Sequence, residues 1–284
     1  MRPLRARGLR LLEVVATEAI TPLMRRVKLG GAEFDGLPDG PTVKLLIPPV
    51  GKFVVFPEQD ERRRLIWAEA GIRPTARTYS VRHIDRAAGT LDIDFVMHGH
   101  GGVAAQWARD ARPGDPVGVG GPSGRELKPA AFYLFAGDHS ALPAIARHLE
   151  QLPGDARGHA FIEVPDETEQ QALRKPAGVA ITWLFRGDAP AGTTMLLVDA
   201  VLRMIWPAAA PVYAWISGES TVVRALRKYA RDRQLDRTMI MAIGYWKLGM
   251  SEDAYHDAHD HDRDADYHLV AKQEEIGRRG QQVG

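Results

Sequence analysis

Residues 76–82 read Ala-Arg-Thr-Tyr-Ser-Val-Arg, which puts an arginine, an aromatic ring and a hydroxyl within four positions. On an extended strand Arg77 and Tyr79 share a face, while Ser80 takes the other, beside the backbone groups. Such a trio can hold a phosphate, stack on a planar ring and hydrogen-bond that ring's edge. An ordinary polar edge strand accounts for the same residue types. Downstream, GHGGVAAQWA fits G-x-G-x-x-A through Gly99, Gly101 and Ala104. No second strand follows to complete a βαβ unit, so the fit to a dinucleotide fingerprint is poor. Small residues at a helix start still expose amides to an anion, and a pyrophosphate site and a tight turn both remain open. GDHSALPAI has Ser140 placed as an N-cap and Pro143 in the first turn. SGESTVVRALRK sets Glu219 and Ser220 at a strand end, with Arg224 and Arg227 one and two turns beyond; a solvated basic face explains these arginines equally simply. The stretch from Gly244 to His268 holds four histidines and seven carboxylates. His256 stands at i,i+3 from His259 and i,i+4 from Asp260, a spacing a surface metal could use. A chance cluster on a solvated helix is the plainer reading, and no metal site is assigned.

The elements that must carry these residues change character along the chain. LRLLEVVATEAI, PLMRRVKLGG, PTVKLLIPPV, ARTYSVRHID, GTLDIDFVMHG and GDPVGVGGP each read as a strand. In the fifth, Leu91, Ile93 and Phe95 alternate with Asp92 and Asp94, one set facing each way. Six strands with one intervening helix, VAAQWARDA, imply a six-stranded antiparallel barrel. After Pro129 strand and helix alternate: FYLFAGD, HSALPAIARHLEQL, HAFIEV, AITWLFR, TMLLVDAVLRMIW, PVYAWISGE, STVVRALRKYARD and TMIMAIGYW. That order implies a parallel sheet covered on both faces, with ligands at the carboxyl ends of its strands. The expected organisation is a barrel over 1–127, an α/β domain over 128–250 and a polar extension over 251–284, opened by Ser251 as a helix N-cap.

Composition narrows the chemistry. Apolar residues make up 45% and charged residues 26% of the 284, so cores of ordinary size can form. Lys+Arg and Asp+Glu number 37 and 36, a net charge of +1 that points to no nucleic-acid partner. The chain has no cysteine, which excludes disulfides, thiolate metal sites and cysteine nucleophiles. Redox chemistry here must therefore come from a bound cofactor. The arginine-rich start lacks an apolar run of signal-peptide type. The most apolar segment is interrupted by Asp199 and Arg203 and is too short to span a bilayer. The expectation is a cytoplasmic, monomeric protein with no membrane partner.

Taken in order, VKLLIP, RTYSVR, DFVMHGHGGVAAQWA, GDHSALPAIARHLE, WISGES and GYWKLGMSEDAYH resemble the siderophore-interacting proteins, flavin-dependent ferric-siderophore reductases of the ferredoxin–NADP reductase-like superfamily. The resemblance runs from about Leu9 to His256 and agrees with barrel followed by parallel sheet. It implies that Arg77, Thr78, Tyr79 and Ser80 form the R-x-Y-[ST] motif for FAD, with Arg77 on the phosphates, Tyr79 stacked on the isoalloxazine and Ser80 near its reactive edge. Asp94, Val96 and His98 would line the flavin from the next strand. Gly102, Val103 and Ala104 would offer amides to the pyrophosphate, with Gln106 and Trp107 continuing the helix. Gly137, Asp138, Ser140 and Ala141, with Gly218 and Glu219, would form the NAD(P)H loops, and Gly244, Tyr245 and Trp246 the segment over the flavin. Lys44 and Lys247 fall where the family is basic. The family's Gly-Pro-Arg-Gly is replaced by Gly121-Pro122-Ser123-Gly124, with Arg125 one place late as a third candidate for substrate binding, and His139 stands where the family often has an acid.

The chemistry implied is reduction of a ferric siderophore. Chelators with hard oxygens hold Fe(III) and release Fe(II); NADPH or NADH gives two electrons as hydride, and FAD passes them on singly, so no acid–base residue is required. Anionic chelates would be recruited by the basic side chains. Two alternatives stand beside this: a flavin-dependent reductase working with ferredoxin or another protein, and a non-enzymatic iron- or siderophore-binding module using the histidine tail. Arg224 and Arg227 could meet a 2′-phosphate, while Glu219 argues for NADH.

Overall fold

The computed structural model describes residues 8–49, 51, 53–59, 65–97, 102–207, 211–263 and 267–272. The chain divides into two compact units, Met1–Glu126 and Leu127–Gly284.

In the first unit the strands are β1 (Leu9–Thr21), β2 (Met24–Gly30), β3 (Thr42–Ile47), the short hairpin β4 (Glu58–Gln59) and β5 (Leu65–Ile66), then β6 (Thr75–Ser80), β7 (His83–Asp85), β8 (Thr90–Val96) and β9 (Pro116–Ser123); the helix α1 spans Val103–Asp110. Among the described residues, seven strands form one sheet in the order β6-β3-β9-β1-β2-β8-β7, every pairing antiparallel. The run ARTYSVRHID, expected as one strand, thus supplies both edges of the sheet. Val81 N donates to Pro41 O at the β3 side (2.8 Å), whereas Arg82 N donates to Asp92 O of β8 (2.9 Å). Adjacent residues can serve opposite edges only if the sheet curls until those edges meet, the geometry of a barrel. Leu12, Val27, Leu45, Leu91, Ile93, Phe95, Val117 and Val119 fill the interior, and Trp107 of α1 packs onto it.

Asp92 and Asp94 do point away from Leu91, Ile93 and Phe95, yet both are buried. Their cross-strand partners on β2 explain this. Arg26 is in register with Asp94 and Lys28 with Asp92, and each closes an ion pair across the strand gap, Arg26 bidentately at 2.6 and 2.8 Å.

The second unit is a parallel five-stranded sheet, β12-β11-β10-β13-β14. Its strands are β10 (Phe132–Asp138), β11 (Gly158–Val164), β12 (Val179–Phe185), β13 (Val212–Glu219) and β14 (Ile240–Trp246); its helices are α2 (Leu142–Gln151), α3 (Leu196–Arg203), α4 (Ser220–Asp232) and α5 (Glu252–His259). On α2 the face Leu142, Ile145, Ala146, Leu149 and Leu152 is buried, as its spacing requires. Ser140 does not cap this helix. The capping position falls on Ala141 without a side-chain bond, because the Ser140 hydroxyl is taken by Asp138. Ser251 does cap α5, its Oγ accepting from Ala254 N at 3.2 Å.

His148 of α2 lies inside this unit, its ring against Phe135 and edge-on to Trp215. Burial, then the neighbouring Arg147 charge, depress its pKa to about 3. The unfolded chain therefore binds a proton that the fold rejects between pH 6.5 and 3, so stability is intact above pH 6.5 and drains away as pH falls. His148→Phe should remove this loss. Denaturant unfolding at pH 6.5 and pH 5 should show an acid penalty smaller by about 2 kcal/mol in the variant; an unchanged penalty would refute the assignment.

Candidate functional site: a flavin-type edge and a nucleotide-type strand end

In the first unit the candidate residues gather where the barrel edges meet. Strand β6 stands at the edge of the sheet order and pairs with β3. Tyr79, half-buried, rests on Phe95 of β8 with ring centroids 4.4 Å apart. Phe95 in turn meets Trp107 of α1 at 5.7 Å. A single buried ring thus brings the Arg77–Ser80 motif and the Gly102–Ala104 helix start into one neighbourhood. Arg77 shares the Tyr79 side of the strand and gives one Nη1 bond to Ala76 O (2.8 Å). Ser80 is buried opposite Thr42.

The α1 start suits an anion. Gly102 in the capping position provides no side-chain cap, and the first turn contains no acid. Gly102 and Val103 are exposed while Ala104 is buried, so the amides of the first turn face outward from a fixed base. Val96, half-buried, ends β8; His98, with Gly99 and Gly101, lies outside the described residues. Asp94 is committed to Arg26, with Arg82 Nε 4.0 Å away, and the charge-assisted bond to Asp94 raises the Arg26 pKa. These partners were not anticipated, although the register of the two strands would have named them.

On the outer face of β3, Lys44 is exposed between Thr78 on one neighbour and Gly120 on the other. A glycine and a threonine leave its ammonium clear ground. Arg125, by contrast, is buried, a poor position for greeting a solvated chelate.

In the second unit the candidates converge at the carboxyl ends of β10, β13 and β14. Asp138 ends β10 and is bonded to Ser140, Glu219 and Trp246; Gly137 and Ala141 beside it are fully packed. Glu219 ends β13 next to Gly218 and caps α4 through Thr221 N and Val222 N, while its other oxygen accepts from Leu248 N. Arg227 donates to Ala242 O (2.7 Å) and so braces β14 from beneath; Arg224 is exposed. His139 turns inward to Glu169 (3.1 Å), tying the loop after β10 to the one after β11. Glu163, at the β11 end, is bonded to Thr194, and burial raises its pKa. Tyr245 meets Trp215 edge-on.

The polar tail is built against this end. Tyr255 and Ser220 both donate to Asp262 Oδ2 (2.7 and 2.6 Å), and His261 Nδ1 lies 3.1 Å from Gly244 O. A Cβ at Gly244 would fall 1.8 Å from the Tyr255 hydroxyl, so the approach requires glycine. Burial, then Asp262, raises the Tyr255 pKa, and burial lowers that of His261. His259 Nε2 meets Lys247 Nζ at 3.1 Å. Two of the four histidines are thereby structural neighbours of the strand end. Among the described residues no group of three metal-ligating side chains is placed to hold an ion.

The comparisons with known proteins agree across both units. Residues 13–126 match the model of the siderophore-interacting FAD-binding domain and residues 130–249 that of the siderophore-interacting protein. A ferric vibriobactin reductase of Vibrio cholerae, ViuB, is 34% identical over 255 residues, 87% of this chain and 93% of its own. An NADPH-dependent ferric-chelate reductase of Escherichia coli is 34% identical over 245 residues, 84% of this chain and 92% of its own. The crystal structure of a siderophore utilization protein from T. fusca superposes with a TM-score of 0.79 at 39% identity, covering 89% of this chain and 96% of that one. The fold is ferredoxin reductase-like.

Proposed function

The chain belongs to the siderophore-interacting protein family, and from that premise we propose that it is an FAD-dependent ferric-siderophore reductase that draws on NADPH or NADH and releases Fe(II). The observation that carries the reading is the chain of tilted ring contacts Tyr79–Phe95–Trp107, which sets an arginine, a ring and a hydroxyl beside a helix start without a side-chain cap. Those residues fit an FAD. The amides of Gly102, Val103 and Ala104 suit its pyrophosphate, Arg77 a phosphate oxygen pair, Tyr79 the ring face, and Ser80 and Thr78 the polar edge. When bound, FAD supplies the conversion of a two-electron donor into single-electron deliveries.

What the chain itself does is bind, orient and attract. Gly137, Asp138, Ser140, Ala141, Gly218 and Glu219 form the strand end at which a pyridine nucleotide would lie. Lys44 and Lys247 are the cations for an anionic ferric chelate, with Arg125 a weaker third because it is buried. Among the described residues no helix is long and apolar enough to cross a membrane. The proposed setting is the cytoplasm, where reduced pyridine nucleotides are held, and the proposed working form a monomer.

The test is stopped-flow oxidation of the reduced flavoprotein by a ferric siderophore, against an oxidised ferredoxin. Fast oxidation by the chelate with slow oxidation by ferredoxin supports the reading; the reverse overturns it in favour of a protein partner. In the same assay Lys247→Ala should keep its FAD and raise the KM for an anionic chelate several-fold at low ionic strength, less so at high salt. An unchanged KM at low salt removes Lys247 from the substrate site.

A further inference from the structure

Lys247, directly after β14, is half-buried, and the polar group it meets is an imidazole: its Nζ lies 3.1 Å from His259 Nε2. Among the described residues neither Lys247 nor His259 is paired with a carboxylate. A lysine ammonium can only donate. The contact therefore requires a neutral His259, with its proton on Nδ1 and the Nε2 lone pair turned to Lys247.

The tail holds the imidazole in that place. Met250 N donates to Lys247 O (3.0 Å), which turns the chain back, and Ser251 caps α5. Tyr255 is fully buried, and its hydroxyl donates to Asp262, which also accepts from Ser220. His259 stands one turn beyond Tyr255, with ring centroids 5.9 Å apart, and is the last residue of α5. The other charged groups nearby are engaged elsewhere. Asp260 meets Arg263 (3.1 Å) and His268 (2.9 Å), with His256 3.9 Å away. Glu219 accepts from Thr221 N, Val222 N and Leu248 N, and His261 Nδ1 faces Gly244 O. Burial, then Asp262, keeps Tyr255 protonated. Lys247 is thus the charge that His259 confronts.

We propose that His259 is a further substrate-binding residue, which takes up a proton when an anionic ferric chelate binds beside Lys247. The proposal rests on the reading that Lys247 binds that chelate. Arg125, the third candidate cation, is buried, and the tail supplies a charge in its stead. Without a ligand, a proton on Nε2 ends the hydrogen bond and leaves two positive charges facing each other. An anion laid across both removes that repulsion, so chelate and proton bind cooperatively. The proton comes from solvent and adds to Nε2; no other bond changes. The sign follows: a proton taken up on binding makes affinity rise as pH falls through the range where histidine changes charge, between pH 8 and 5.

The test uses the FAD-loaded full chain and a gallium(III) triscatecholate, an anion shaped like its ferric counterpart that accepts no electron, titrated by calorimetry at low ionic strength. Repeating the titration in buffers of different ionisation enthalpy counts the protons taken up. At pH 7 the parent should take up about half a proton or more per chelate, and it should bind about fivefold more tightly at pH 6.5 than at pH 8. His259→Gln, which still accepts from Lys247 but never charges, should take up almost none and bind at both pH values as weakly as the parent does at pH 8. His259→Lys should bind tightly at both, a rescue that a merely structural imidazole would not allow. A neutral gallium trishydroxamate should bind the parent without proton uptake. Proton uptake that is equal in the parent and His259→Gln, or equal for the neutral chelate, overturns the proposal while leaving the chelate reading in place. Failure of the parent and both variants to bind either chelate overturns the chelate reading, and the proposal with it.

Discussion

Arg77→Ala is expected to bind FAD about 10- to 100-fold more weakly than the parent chain, measured by titrating FAD into the deflavinated protein. The size follows from what the guanidinium would contribute: charge-assisted hydrogen bonds to phosphate oxygens, each worth about 1.5–3 kcal/mol. Arg77 is half-buried on an edge strand, shares its side with Tyr79 and is tethered through Nη1 to Ala76 O. Arg77→Lys should recover only part of the loss, because a point charge cannot reproduce a two-bond fork. The weakening should shrink as salt rises, since the parent loses its electrostatic advantage first. FAD affinity equal to the parent's in Arg77→Ala would remove this residue from the cofactor site and leave the α1 amides as the main phosphate anchor.

The architecture was legible because both units obey simple periods. Alternation of residue type marks β8 and an apolar stripe marks α2, although both elements are buried along most of their length. What a one-dimensional pattern could not show was closure. Nothing in ARTYSVRHID marks the point where Ser80 leaves β3 and His83 joins β8, because that break is imposed by the meeting of two distant edges. The motif residues were legible as chemistry, yet their partners were not. Phe95, which links Tyr79 to Trp107, reads along the chain only as one more core residue. Ser140 reads as a cap until Asp138, two residues earlier, competes for its hydroxyl.

The tail teaches the same lesson in the other direction. His256, His259 and Asp260 stand at a helical spacing that a surface metal could use; in the structure His256 Nδ1 lies 3.9 Å from Asp260 Oδ1, and His259 Nε2 meets Lys247 Nζ at 3.1 Å. Asp262 is bonded to Ser220 and Tyr255. Spacing along α5 cannot reveal that Asp262, beyond its end, answers Ser220 at the start of α4. Trp246 is the extreme case. Its sequence neighbours place it on a strand terminus, and only the three-dimensional meeting of Asp138, Glu219 and Gly192 shows where its ring goes.

Arg26→Ala should destabilise the first unit by about 3–5 kcal/mol, toward the lower end because Arg82 stands 4.0 Å from the stranded Asp94. The Asp94 side chain is 1% exposed and that of Arg26 22%, and this asymmetry decides which replacement does more harm. Removing the arginine leaves a carboxylate with no water to turn to. Removing the charge with Asp94→Asn leaves a guanidinium that can reach solvent, so the loss should be smaller. The double variant Arg26→Ala/Asp94→Asn should be more stable than Arg26→Ala alone, since the uncompensated charge has gone. Urea unfolding followed by release of FAD fluorescence reports on this unit and avoids treating the two-unit chain as a single transition. If Asp94→Asn proves as damaging as Arg26→Ala, burial of the unpaired charge is not the dominant cost. The carboxylate would then have to be serving a ligand as well as its partner on β2.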